Sequence, residues 1–91
     1  MEVRDAVKSA KNYVAEMFED EPIHNIGLEE IEFDRAQGIW SVTIGFAREW
    51  RESGSVMRAL ASPCRTYKVV RISDTDGTVQ SIRHREISGA A

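Results

Sequence analysis

Apolar residues recur at spacings of three and four at the start of the chain: Val3, Ala6, Val7, Ala10, Tyr13, Val14, Met17 and Phe18. That spacing draws one apolar stripe along a helix, with Glu2, Arg4, Asp5, Lys8, Lys11, Asn12 and Glu16 lying off it. Glu2 and Asp5 fall in the first turn, where the helix dipole favours negative charge. Pro22 cannot continue helical hydrogen bonding and disfavours helical geometry at Glu21, so the helix is expected to end near Glu19 or Asp20.

The period then shortens to two. Ile31-Glu32-Phe33-Asp34 and Trp40-Ser41-Val42-Thr43-Ile44 alternate apolar with polar residues and predict two strands. Between them Arg35-Ala36-Gln37-Gly38 reads as a four-residue loop ending in glycine. That loop pairs Asp34 with Ile39, Phe33 with Trp40, Glu32 with Ser41 and Ile31 with Val42, so apolar pairs share one face. A three-residue loop would set Phe33 against Ser41 and is rejected for that reason. Leu28 is out of phase with Ile31, which predicts a bulge near Glu29 or Glu30, or a strand that starts after Leu28. Val14 and Phe18 are expected to pack on Phe33, Trp40, Val42 and Ile44.

Residues 47–63 follow as a long connection, in which Arg48-Glu49-Trp50-Arg51-Glu52 can prolong the second strand and Ser53-Gly54-Ser55 is a break. Beyond it, residues 66–73 are rich in β-branched side chains, Asp74-Thr75-Asp76-Gly77 is a turn, and residues 78–87 return as a second hairpin. A three-residue loop at Thr75-Asp76-Gly77 pairs Val70 with Ile82 on the core face. The expected fold is therefore α+β: one N-terminal helix packed on a four-stranded antiparallel sheet, forming a single domain over residues 1–87 with a disordered tail over 88–91.

The alternating Trp40–Ile44 strand, and Tyr67-Lys68-Val69 followed by Asp74-Thr75-Asp76-Gly77-Thr78-Val79, give the chain a resemblance to the small PepSY-like domains and to the cystatin-like α+β fold. The resemblance covers roughly residues 3–87. It implies a small binding domain of the kind thought in some PepSY-type proteins to restrain peptidases. Cystatin-type inhibitors carry Gln-x-Val-x-Gly in a hairpin loop; here the first loop reads Arg35-Ala36-Gln37-Gly38, so that activity does not carry over.

Composition narrows the function classes. Twelve Lys and Arg against fifteen Asp and Glu give a net charge of -3, which argues against a strongly basic nucleic-acid protein on bulk charge. The single cysteine, Cys64, rules out an internal disulfide and a cysteine-based structural zinc site. No segment approaches the roughly 18 consecutive apolar residues of a membrane helix, and the charged start of the chain does not read as a signal peptide. The expected location is cytoplasmic, with no membrane partner.

Candidate chemistry is sparse. Cys64 with His24 and His84 has no spacing that brings thiolate and imidazole together. The two histidines with Asp74 or Asp76 lack the converging third ligand of a zinc site, and the turn lacks the later oxygen ligands of a calcium loop: Thr78 and Arg85 stand at those positions. Glu29, Glu30, Glu32 and Asp34 form an acidic strand edge expected to face water. No cofactor, metal site or catalytic set is expected.

Charge asymmetry remains. Residues 1–34 carry three basic and ten acidic side chains, and residues 35–91 carry nine basic and five acidic. Arg65, Lys68, Arg71, Arg83, His84 and Arg85 can gather into a basic patch, with Arg71, Arg83 and Arg85 as the candidate phosphate contacts. The alternative, which the negative net charge favours, is that these cations pair with the acidic first hairpin across the sheet or across a dimer interface. The connection is the expected main contact surface: it carries Trp50, Arg51, Met57, Arg58 and Leu60, and Trp, Met and Arg are residue types enriched at interface centres; the alternative is that it folds back over one end of its own core with Trp50 as a lid. The reading that follows is a non-catalytic protein-binding or regulatory domain, with a protein partner or a homodimer. A nucleic-acid-binding module on the basic strands is the alternative.

Overall fold

The computed structural model describes residues 1–48 and 65–86. A helix, α1 (Val3–Met17), is followed by β1 (Ile23–Asp34), β2 (Ile39–Arg48), β3 (Arg65–Ser73) and β4 (Val79–His84). The strands form one antiparallel sheet in the order β1-β2-β3-β4, and α1 lies over β1, β2 and β3 on one face. This is the expected α+β arrangement.

Ala6, Ala10 and Val14 form the buried line of α1. All three belong to the buried core cluster. Beneath them lie Val42, Ile44 and Phe46 of β2 with Val70 and Ile72 of β3, all fully buried. Phe46, the largest of these, continues the series Trp40, Val42, Ile44 and is not among the core residues expected from the sequence, where the alternating strand is read only as far as Ile44. Val3 and Met17 lie on the apolar stripe but are 50% and 56% exposed, since the helix ends project past the buried centre. The helix ends two to three residues earlier than expected. Phe18 leaves helical geometry (φ -112°, ψ 24°) and brings its ring to 5.2 Å from that of Phe46. Bonds from Glu21 N to Phe18 O (2.9 Å) and from Ile23 N to Glu21 O (2.8 Å) then carry the chain around Pro22 into β1.

The first hairpin has the expected register: Asp34 with Ile39, Phe33 with Trp40, Glu32 with Ser41 and Ile31 with Val42. Gly38 closes its turn at φ +66°, and the Asp34 carboxylate accepts bonds from the N–H groups of Ala36 (3.0 Å) and Gln37 (3.2 Å). A bulge between Leu28 and Glu30 resolves the expected phase change, and β1 continues back to Ile23 through a second bulge containing Asn25 at φ +58°. Phe33 departs from expectation. It lies on edge strand β1, is 36% exposed and stacks on Trp40 at 4.6 Å rather than entering the core.

The second hairpin pairs Val70 with Ile82 as expected, but by another route. Bonds from Gly77 N to Ser73 O (2.8 Å) and from Ser73 N to Thr78 O (2.9 Å) define a four-residue turn, 74–77, with Gly77 at φ +73°. A bulge at Gln80, where Arg71 pairs with Ser81 and Ile72 with Val79, then restores the register. The two hairpin turns meet: Asp74 N donates to Gly38 O (2.9 Å), and the Asp74 carboxylate accepts from the Trp40 indole at 2.8 Å. The amino group of Met1 lies 3.6 Å from the same carboxylate oxygen.

Candidate functional site: the helix-free face of the sheet

Alternation assigns each strand residue to a face. Val42, Ile44, Phe46, Val70 and Ile72 turn toward α1, so Ser41, Thr43, Gly45, Val69, Arg71, Ser81 and Arg83 point the other way. The register lays that second face out in rows. One row runs Glu32, Ser41, Arg71, Ser81 from β1 to β4, and the next runs Glu30, Thr43, Val69, Arg83. A third runs Gly27, Gly45, Tyr67, and Arg85 follows beside it through its N–H bond to Tyr67 O (2.9 Å).

The bulge between Leu28 and Glu30 places both Glu29 and Glu30 on this face. Glu29 meets Arg65 at 3.3 Å, and Arg65 also donates to the carbonyl of Asn25 at 3.1 Å. The pair lies directly over Gly45: a Cβ there would sit 2.8 Å from Glu29 Oε2 and 3.0 Å from Arg65 Nη2. Glycine at this position is therefore what lets the ion pair lie flat on the sheet. Arg85 crosses β3 to donate to both Glu30 and the Thr43 hydroxyl (3.2 Å), which covers Thr43 to 2% exposure. Arg71 donates to Gln37 at 3.0 Å. Among the described residues, Glu32 and Arg83 are exposed on this face and carry no ion pair, and the Ser81 hydroxyl is buried without a hydrogen-bond partner.

The basic residues of β3 and β4 thus do not form one patch. Arg65, Arg71, Arg83 and Arg85 occupy the helix-free face, while Lys68 and His84 turn to the helix side, where the Lys68 ammonium sits 5.7 Å over the Phe18 ring. Of the three candidate phosphate contacts, Arg85 is committed to a carboxylate and Arg71 to an amide, leaving Arg83. His24 and His84 belong to opposite edge strands. No group of three His, Cys, Asp or Glu among the described residues is placed to hold a metal ion. Trp50, Arg51, Met57, Arg58, Leu60 and Cys64 lie outside the described residues, as does the tail. No described helix is long and apolar enough to cross a membrane.

The charge asymmetry of the sequence pointed to this face. What it did not show is that two consecutive glutamates at a bulge would share a face, or that Gly45 would floor their contact with Arg65. No protein-family model, curated protein or solved structure matches the chain.

Proposed function

We propose that this chain is a non-catalytic protein-binding domain, of the regulatory kind, whose contact surface is the helix-free face of the sheet. The partner is a protein, either a second copy or another chain. The observation that carries this reading is the internal neutralisation of the face: Arg65 is answered by Glu29, and Arg85 by Glu30 and Thr43. A phosphate backbone would find Arg83 alone without a carboxylate or amide partner among the described arginines of this face and would have to break the Arg65 and Arg85 pairs to gain more, and Tyr67, half-buried, is the one aromatic ring among the described residues of the face. A flat face with alternating charge and short polar side chains between suits a protein surface of matching pattern.

A photo-reactive amino acid at Ser41, compared with one at Lys8 on the exposed side of α1, tests the reading in living cells. Protein adducts at position 41 and none at position 8 are expected. Nuclease-sensitive adducts at 41 would establish the nucleic-acid alternative, and adducts at neither position would overturn protein binding through this face.

A further inference from the structure

We propose that the helix-free face docks on a second copy of this chain, about a two-fold axis parallel to the strands, so that the acidic β1 side of each copy lies over the cationic β4 side of the other. The inference rests on the reading of this face as a protein-contact surface and names its occupant.

β1 carries Glu29, Glu30, Glu32 and Asp34, and β4 with its extension carries Arg83 and Arg85. Isologous edge-to-edge pairing would set β1 against β1 or β4 against β4, each a like-charge juxtaposition. Stacking the two faces about an axis perpendicular to the strands does the same. Only the axis parallel to the strands, lying between the stacked sheets, exchanges left and right while keeping each residue at its level along the strand.

Under that operation the row Glu30, Thr43, Val69, Arg83 falls on its own reverse. Glu30 of one copy, with the Arg85 that holds it, then lies opposite Arg83 of the other, and Val69 lies near the axis, facing the Arg85 side chain that covers Thr43. Glu32, one row along and without an ion pair among the described residues, reaches the same Arg83 diagonally. The β4 cation and the β1 carboxylate that have no ion pair among the described residues therefore answer each other between copies. Between these flanks β2 carries short side chains or none at Ser41, Thr43 and Gly45, the Arg65 and Arg85 chains reach along the sheet to their partners, and the larger side chains of the middle are Tyr67 and Arg71 on β3, Arg71 turned to Gln37.

The size is also adequate. With strands about 4.8 Å apart and a rise of about 3.4 Å per residue, four strands give a footprint on the order of 500 Å² before side-chain relief. For two copies that is about 1,000 Å², the lower bound for a specific interface rather than the standard size.

The test is the mass of the full chain in solution, by light scattering and sedimentation, with circular dichroism confirming the fold of each variant. The wild type is expected to be a dimer. Arg83→Glu and Glu32→Lys are each expected to weaken association about a hundredfold, because each places like charges together twice per dimer. Mixed in equal amounts, the two variants are expected to associate more tightly than either alone, though less tightly than the wild type because the carboxylate at position 83 still lies opposite Glu30. The reversed charge at position 83 of one then meets the reversed charge at position 32 of the other, and the reciprocal contact is the native pair. A wild type that stays monomeric at about a hundred times the Kd of an ordinary micromolar dimer overturns the proposal. So does a dimer indifferent to both substitutions, or a mixture that associates no more tightly than either variant alone. A monomer that still gives protein adducts at position 41 would overturn self-association alone and leave the protein-binding reading standing.

Discussion

Replacing Phe46 by Ala removes the largest fully buried side chain among the described residues, one that joins β2 to the end of α1 through Phe18. Core Phe→Ala substitutions cost about 3–5 kcal/mol, combining lost transfer energy with the cavity left behind. A 91-residue domain holds about 5–14 kcal/mol in total, so this one change removes a large fraction of it. Phe33→Ala is the matched comparison: the same atoms are deleted at a position 36% exposed, whose main contact is the Trp40 ring at 4.6 Å. It should cost about 1–2 kcal/mol, the aromatic pair supplying about 0.5–1.5 of that. Urea unfolding followed by circular dichroism reads both, at one fixed chain concentration because self-association adds to apparent stability. With a slope of about 1–1.5 kcal/mol/M, Phe46→Ala should lower the midpoint by about 2–4 M and Phe33→Ala by about 1 M. Should Phe46→Ala fail to fold, Phe46→Leu at a cost of about 1–1.5 kcal/mol keeps the comparison measurable. Equal losses, or a larger loss at Phe33, would refute the placement of the core.

Other outcomes follow from particular contacts. Asp74→Ala leaves the Trp40 indole N–H without its 2.8 Å partner and should cost about 1–2 kcal/mol, read as a lower Tm and a shifted Trp40 emission in a Trp50→Phe background. Gly38→Ala, at φ +66°, should cost about 1 kcal/mol in a thermal melt. Gly45→Ala, in extended backbone, should instead displace the Glu29–Arg65 pair and be read by side-chain NMR of Arg65, with a far smaller effect on Tm. The Thr78 backbone N–H, and then its hydroxyl, hold the Asp76 carboxyl below its ordinary 3.8. Because the folded value is the depressed one, the stabilisation is present above about pH 4 and fades as pH falls through the folded value. Thr78→Ala should raise the Asp76 midpoint in an NMR titration, and an unchanged midpoint would refute the assignment.

The first hairpin was legible in sequence because alternation and loop length both specify register, and only one loop put Phe33 beside Trp40. Phe46 was missed although it continues the period-two series Trp40, Val42, Ile44: Gly45 stands where a polar residue would mark the alternation, and the reason for a glycine there lies on the opposite face, in an ion pair between residues far apart in sequence. Phe33 was misplaced for a related reason: alternation reports which face a residue takes, not whether the helix reaches that far across the sheet. The second hairpin shows two local departures cancelling, a turn longer by one residue and a bulge at Gln80, so the core pair was right while the turn was not. On the candidate face, charge asymmetry was visible in composition, but the pairing of Arg85 with Glu30 and Thr43 depends on strand order, which no local pattern encodes.

Val69 and Val70 are sequence neighbours on opposite faces of β3, Val70 buried under the helix and Val69 close to the proposed two-fold axis. An isotope-filtered NOE experiment on an equal mixture of labelled and unlabelled chain detects only contacts between copies. The account predicts intermolecular contacts at the Val69 methyl groups and none at those of Val70. Contacts that instead involve α1, or no contacts between copies at all, would contradict it.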